Sequence, residues 1–168
     1  ANRVLSMAKA AFNRAFIKKR RVPSDVEWRT VELFKKAGAS RNLSLTDDQV
    51  EILIDQATGE LQKLIQAGVY TGARAGELTA VLTSDFDIKN GSLDVDGKTG
   101  KRTIYLSDAG IAFFKKITAD KLPKALIFTH GDGAQWVSNN YNRIFRKAVE
   151  EAKLHSETVF YSLRHYHI

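Results

Sequence analysis

The chain has 168 residues, 43% of them hydrophobic, which is enough to bury one sizeable core. It has no apolar run long enough to span a bilayer and no signal-peptide pattern, so we expect no membrane partner. The absence of cysteine excludes disulfides, thiolate zinc sites and a cysteine nucleophile. These features are typical of a cytoplasmic protein.

The positive charge is concentrated in the first quarter of the chain. The net charge is +7, and residues 1–45 contain eleven Lys and Arg against three acidic residues. The remaining residues are nearly balanced, which predicts that the first segment meets a polyanion such as nucleic acid. Four consecutive residues are candidate DNA contacts: Lys18, Lys19, Arg20 and Arg21. The alternative is that they complement the C-terminal dipole of a surface helix.

The first segment begins with a predicted amphipathic helix. Apolar residues at helical spacing place it over 2–19, ending before Pro23. Its wide apolar stripe needs a partner, so we expect it to be the last helix of an N-terminal helical domain. Ser24-Asp25-Val26-Glu27 has the form of a capping box, but the basic stretch around Trp28 favours an extended linker.

The remainder predicts a mostly helical α+β domain. Thr46-Asp47-Asp48-Gln49 is a capping box that starts a helix, and a further helix follows Gly59 and ends near Thr71-Gly72. Asn90-Gly91 predicts a hairpin within a small three-stranded antiparallel sheet. The predicted strands are 85–89, 92–95 and 102–106, with a second turn over 96–101. Helices are predicted from Ser107 to Ile117, from Ser138, and from about Tyr161, with 126–128 a buried strand or loop.

Two arginines stand in distinctive local frames. Arg74 lies in Thr71-Gly72-Ala73-Arg74-Ala75-Gly76-Glu77-Leu78, and Arg164 lies in Tyr161-Ser162-Leu163-Arg164-His165. Lys98 occupies the predicted second hairpin turn between them. Guanidinium groups bind phosphate oxygens bidentately, and transfer of a phosphodiester needs such fixed cations together with an acid for the leaving oxygen. The three residues therefore suggest a site that grips one phosphodiester, with both arginines at helix ends.

These boxes resemble those of the tyrosine recombinases, the phage integrase family. The similar elements are the Arg74 box with Glu77-Leu78, Lys98-Thr99 before a strand, and Leu163-Arg164-His165, in the same order and at the same spacing. The resemblance covers about residues 41–168. The first helix also resembles the end of the family's helical core-binding domain, so we expect one domain over 1–40 and a catalytic domain over 41–168.

The resemblance implies metal-free DNA recombination or integration through a 3′-phosphotyrosyl intermediate, without any cofactor. By position, Arg74 and Arg164 would bind the scissile phosphate, Lys98 would be the general acid, and Glu77 would orient the region of Arg74. Tyr161 stands where the family more often has histidine. A phenol ordinarily has a pKa of about 10, so it donates a hydrogen bond but is a poor proton shuttle at neutral pH. His165 completes the candidate catalytic set, and Lys101 and Arg102 are further candidate DNA contacts.

The resemblance also implies a nucleophilic tyrosine beyond the last box, after a histidine or tryptophan. Tyr166 is too close to Arg164 for that role, and Tyr70, Tyr105 and Tyr141 are expected on apolar faces. We therefore expect the 168 residues to bind double-stranded DNA without cleaving it. The full-length protein would act as a homo-tetramer on DNA, in the prokaryotic nucleoid or in the cytoplasm of a host cell.

Other interpretations stay open. The arginines could serve a DNA-binding module without chemistry, and Arg74 with Glu77 could be a plain surface ion pair. His165 could be a packed helix residue, and His165 with His167 lack an evident third metal ligand. The aspartates of the predicted strands could indicate a metal-dependent nuclease, although alternation favours a solvent-facing edge. These are Asp85, Asp87, Asp94 and Asp96.

Overall fold

The structure, a computed structural model, describes residues 2–34, 43–97 and 100–167, with only the backbone at 138 and 139. It divides into two compact units, 1–41 and 42–168. The helices are α1 (Asn2–Ile17), α2 (Val26–Arg29), α3 (Asp47–Gln56), α4 (Gly59–Thr71), α5 (Ala75–Leu78), α6 (Asp108–Thr118), α7 (Ser138–Glu151) and α8 (Phe160–His167). The strands are β1 (Phe86–Asp87), β2 (Ser92–Gly97) and β3 (Gly100–Tyr105). No helix of the described residues is long and apolar enough to cross a membrane.

The first unit contains α1 as predicted, two residues shorter at its end, but the predicted extended linker was wrong. The helix ends at Ile17, well before Pro23, because Arg20 adopts a left-handed conformation (φ 46°) and the Arg21 N–H bonds back to the Ala15 carbonyl. The supposed linker contains the one-turn helix α2, without a side-chain capping bond. Helix formation is favoured there because Trp28 packs against two rings of α1.

Trp28 contacts α1 through both ring packing and a hydrogen bond. The Trp28 ring lies 5.4 Å from that of Phe12 and 6.3 Å from that of Phe16, and its Nε1 donates to Asn13 Oδ1 at 2.7 Å. Neither α1 nor α2 has a buried residue, and Val4, Met7 and Ile17 are largely exposed. The described part of this unit therefore leaves much of the apolar stripe of α1 uncovered.

The second unit is built around α4. Helix α3 begins with the predicted capping box, in which the Gln49 N–H donates to Thr46 Oγ1 and the Thr46 N–H donates to the Gln49 side chain. Helix α4 packs against α3, α5, α6, α7 and α8. Its Leu64 and Ile65 have no exposed surface. The central position of α4 fixes the turn that follows it, where the Arg74 box begins.

The sheet confirms the predicted three-stranded antiparallel meander, in the order β1-β2-β3. Its edges differ from the prediction: β1 has only two residues, and β2 and β3 pair as far as Gly97 and Gly100, so the predicted second turn over 96–101 was too long. Leu93 and Ile104 pair on the buried face, whereas Asp94 and Thr103 pair on the outer face. The register therefore decides which β3 side chains turn inward.

The remaining helices agree with the sequence. Ser107 caps α6 by accepting from the Gly110 N–H, and α7 turns Phe145, Ala148 and Val149 into the core. The 126–128 segment is buried at Ile127 and Phe128 and forms a single bridge from Leu126 to Leu82. The mostly helical α+β fold with one small sheet is confirmed.

Candidate phosphodiester site

The turn between α4 and α5 is a rigid frame. Helix α4 ends where Gly72 takes a left-handed conformation (φ 56°), and its N–H bonds to the Gly68 carbonyl at 2.9 Å. Thr71 Oγ1 donates to the Ala67 carbonyl at 2.6 Å and accepts from the Ala73 N–H at 3.1 Å. Gly72 is required for space as well, because a Cβ there would stand 2.5 Å from the His167 ring. The turn therefore fixes the backbone just before Arg74.

Arg74 is the N-cap residue of α5, as expected for a guanidinium presented at a helix end. Its Nη1 donates to Glu77 Oε1 at 2.7 Å, and its backbone N–H donates to Glu77 Oε2 at 3.0 Å. The side chain remains 46% exposed, whereas that of Glu77 is only 4% exposed. Glu77 therefore holds both the backbone and the guanidinium of Arg74, and because its carboxylate is buried the pair is more than a surface bridge.

Glu77 receives a third donor that the sequence analysis missed. Arg102 Nη2 on β3 donates to Glu77 Oε2 at 2.8 Å. Burial by itself would raise the pKa of Glu77, but the Arg74 N–H and the guanidinium groups of Arg102 and Arg74 outweigh it and lower the pKa to about 2. Glu77 is therefore ionised at neutral pH.

Arg164 lies one turn into α8, so the expectation that it opens the helix was wrong. Its Nη1 donates to the Gly72 carbonyl at 2.7 Å, across 92 positions of sequence. Within the described part of the chain it forms no ion pair. Arg164 and Arg74 are thus held at the same turn, at residues 72 and 74, and they are not sealed in separate ion pairs.

Tyr161 and Arg74 line one cavity of about 280 Å³, together with Gly76 and Tyr141. Tyr161 is 47% exposed, and its ring lies edge-on to that of His165, with the centroids 5.0 Å apart. Tyr161, Arg164 and His165 occupy neighbouring positions on one side of α8 because residues three and four apart are adjacent on a helix. Residues of the Arg74 box and of the box that contains Tyr161 therefore line the same cavity.

Several predicted positions lie elsewhere or are not described. Lys98 lies outside the described residues. Lys101 is exposed on the outer face of β3 opposite Asp96, whereas Arg102 is engaged with Glu77 and is therefore not a free surface cation. The stretch Lys18–Arg21 is exposed at the end of α1.

The tyrosines differ in their surroundings. The Tyr166 hydroxyl donates to Asp47 Oδ1 at 2.9 Å, and this bond raises the pKa of Tyr166, which disfavours it as a nucleophile. Tyr70 packs on Phe113, as expected for an apolar face. Tyr105 is 78% exposed, so its expected apolar position was wrong, because it lies on the outer face of β3.

The strand aspartates are engaged in local hydrogen bonds. Asp87 accepts from the Lys89 and Asn90 N–H groups, Asp94 accepts from Thr103, and Asp85 accepts from the Leu82 N–H. In the residues that the structure describes, no group of three or more His, Cys, Asp or Glu side chains could hold a metal ion. His167 Nδ1 lies 2.9 Å from the carbonyl oxygen of Val69, in the last turn of α4.

Arg74 beside the open cavity, the buried carboxylate of Glu77 and Arg164 at the Gly72 carbonyl form a candidate phosphate site in a helical α+β domain. Residues 43–168 match the sequence model of the Phage integrase family. The chain belongs to this family.

Solved structures agree in fold. The chain is similar to a lambda integrase (75–356) dimer bound to a COC′ core site, with 22% identity and a TM-score of 0.79, over 99% of this chain and 64% of that one. A Tn1549 transposon integrase in complex with circular intermediate DNA matches with 18% identity and a TM-score of 0.81, over 99% and 64%. XerA recombinase matches with 15% identity and a TM-score of 0.63, over 96% and 66%.

The chain thus spans slightly less than two thirds of the length of these structures. No curated protein sequence matches it.

Proposed function

We propose that this chain is the DNA-binding and phosphate-gripping part of a site-specific DNA recombinase. The observation that carries the proposal is that the Arg164 guanidinium donates to the carbonyl of Gly72, two residues before Arg74, although 90 positions separate the two arginines in sequence. Two arginines held at one fixed turn suit the non-bridging oxygens of a phosphodiester. Family membership supports the same activity.

In the proposed reaction a tyrosine hydroxyl loses its proton to solvent and its oxygen attacks the phosphorus while the bond to the 5′ oxygen breaks. The product is a 3′-phosphotyrosyl link, and the 5′ oxygen leaves with a proton. A 5′ hydroxyl of a second strand later attacks the same phosphorus and releases the tyrosine. Arg74 and Arg164 neutralise the charge of the five-coordinate phosphorus, Lys98 protonates the leaving oxygen, and Tyr161 donates a hydrogen bond to the phosphate.

The proposed partner is double-stranded DNA, contacted by the basic residues Lys18–Arg21 as well as by the arginine site. Similar structures include a lambda integrase tetramer bound to a Holliday junction, so we propose assembly into a homo-tetramer on DNA for the full-length protein. The proposed place of action is the cytoplasm, where DNA is accessible. We infer that the 168 residues alone bind DNA without forming a covalent link, because none of their tyrosines has the expected position of the nucleophile.

The test uses a pool of duplexes with a randomised core and a nick, on which cleavage traps the covalent intermediate. The protein encoded by the reading frame that contains this chain is expected to give adducts that survive denaturation. Arg74→Ala and Arg164→Ala should abolish the adducts while most DNA binding persists. The 168-residue chain should bind the pool without adducts.

The alternative function is DNA binding without chemistry. It would be supported if the longer protein bound the pool tightly but gave no adduct under any condition. Cleavage that is abolished by a chelator would instead favour a metal-dependent nuclease and contradict the proposal.

A further inference from the structure

Arg102 has a position next to the phosphate site that the proposed reaction does not use. It pairs with Val95 across the sheet and lies two residues from Ile104, so its side chain projects from the inner face of β3. From there Nη2 donates to Glu77 Oε2 at 2.8 Å, while Arg74 Nη1 donates to Glu77 Oε1 at 2.7 Å. Two guanidinium groups therefore share one carboxylate.

The carboxylate has little freedom to leave this arrangement. A Cβ at Gly97 would stand 2.7 Å from Glu77 Oε1 and 3.1 Å from its Cγ, so the backbone of β2 lies directly against the side chain. Glu77 is only 4% exposed, so water contributes little to screening its charge. Protein cations have to compensate this charge instead.

The sum of charges shows what Arg102 contributes. Arg74 and Arg102 carry one positive charge each and Glu77 carries one negative charge, so the group has a net charge of +1. Without Arg102 the remaining pair would be neutral, and an anion that approaches Arg74 would also meet the uncompensated carboxylate. Arg74 is the more exposed of the two arginines, with 46% of its side chain accessible against 36% for Arg102, and it lines the 280 Å³ cavity.

We propose that Arg102 is a positioning residue that neutralises Glu77 and thereby keeps the charge of Arg74 available to a phosphate group. The identity of the anion as a DNA phosphodiester rests on the proposed function. The effect of Arg102 on the affinity of Arg74 for an anion does not rest on the proposed function, so this effect can be measured by itself.

The experiment titrates the 168-residue chain with inorganic phosphate at low ionic strength. The ¹⁵N–¹H cross-peak of the Arg74 Nε–H reports binding at this position. Arg102→Ala is expected to weaken phosphate binding by about fivefold, the order expected when one partly exposed charge is removed from a neighbouring side chain. Arg102→Lys should retain most of the affinity because it keeps the charge.

A double variant separates this role from a merely structural one. The double variant Arg102→Ala with Glu77→Gln also lacks the carboxylate charge. No negative charge then offsets that of Arg74, so phosphate affinity should return to near the wild-type value. Lys147→Ala is the control, because it removes the same charge from the exposed surface of α7, where Lys147 pairs with Glu151 at 3.6 Å. It should leave the affinity within about twofold. Neutral trimethyl phosphate should not distinguish any of the variants.

Three results would overturn the inference: no phosphate binding at Arg74 in the wild type, unchanged affinity in Arg102→Ala, or a double variant as weak as Arg102→Ala. A different result would refute the proposed function. Phosphate results as expected, with no covalent adduct from the longer protein, would leave the charge role of Arg102 standing and remove the recombinase. Covalent adducts without any effect of Arg102→Ala on phosphate binding would support the recombinase and refute the charge role of Arg102.

Discussion

The buried carboxylate of Glu77 makes a defined contribution to stability that depends on pH. Its pKa falls from the ordinary 4.5 to about 2 because Arg74 and Arg102 donate to it. A lowered folded-state pKa means that the stabilisation is complete above pH 4.5 and is lost as the pH falls toward 2. Each factor of ten in proton affinity is worth about 1.4 kcal/mol, so the full effect is about 3 kcal/mol.

The prediction concerns the change in the free energy of unfolding between pH 6 and pH 3. At pH 3 about 2 kcal/mol of the Glu77 contribution should already be lost. Urea unfolding of the wild type and of Glu77→Gln at both pH values isolates this term, because other groups titrate alike in both proteins. The wild type is expected to lose about 2 kcal/mol more than the variant over this interval.

Glu151→Gln provides the control, because Glu151 is 46% exposed and pairs with Lys147 at 3.6 Å on the surface. Such a pair contributes little, so this variant should follow the wild type at both pH values. If wild type and Glu77→Gln lose the same free energy between pH 6 and pH 3, the argument that donors compensate a buried charge is refuted.

Three further predictions concern packing, capping and charge. Gly68→Ala places a methyl group 3.0–3.1 Å from side chains of α8 and should cost about 1–3 kcal/mol in urea unfolding, whereas Gly76→Ala meets nothing within 4 Å and should cost far less. Thr46→Ala removes a formed cap and should cost about 1 kcal/mol, unlike Thr58→Ala, whose side chain makes no capping bond. Deletion of residues 1–40 should remove most of the salt dependence of DNA binding in a filter assay; an unchanged slope would contradict the charge argument.

Local signals in the sequence were sufficient for most elements of the second unit. The capping box at Thr46 and Gln49 predicted α3 because both partners of the motif lie within one turn. Asn90-Gly91 predicted the first hairpin, where Gly91 takes a left-handed conformation (φ 60°). Such features depend on neighbouring residues alone, so no tertiary information is needed.

Predictions failed where contacts beyond neighbouring residues, or an unusual backbone conformation, decide the structure. Helix α2 depends on Trp28 packing against Phe12 and Phe16, and the end of α1 depends on Arg20 adopting a conformation unusual for arginine. The hairpin length depends on strand pairing up to Gly97. None of these follows from local composition.

For the site, the family resemblance implied that Glu77 orients the region of Arg74, and the spacing of three positions on a short helix allowed the two side chains to meet. The sequence did not predict that Arg102 joins them from 25 positions away. That contact depends on the register that turns Arg102 to the same face as Ile104. The alternation of side chains along β3 indicated that Arg102 and Ile104 share one face. The sequence did not show which of the two faces would be buried.

The bond between Tyr166 and Asp47 joins the first turn of α3 to the end of α8, across 119 positions. A loop of 119 positions must therefore close before α3 and α8 meet. During synthesis, α3 leaves the ribosome long before its partner exists. The early helices have to wait for α8 before the Gly72 turn receives Arg164, so the site at this turn should mature only after α8 has been synthesised, later than the contact between α3 and α4.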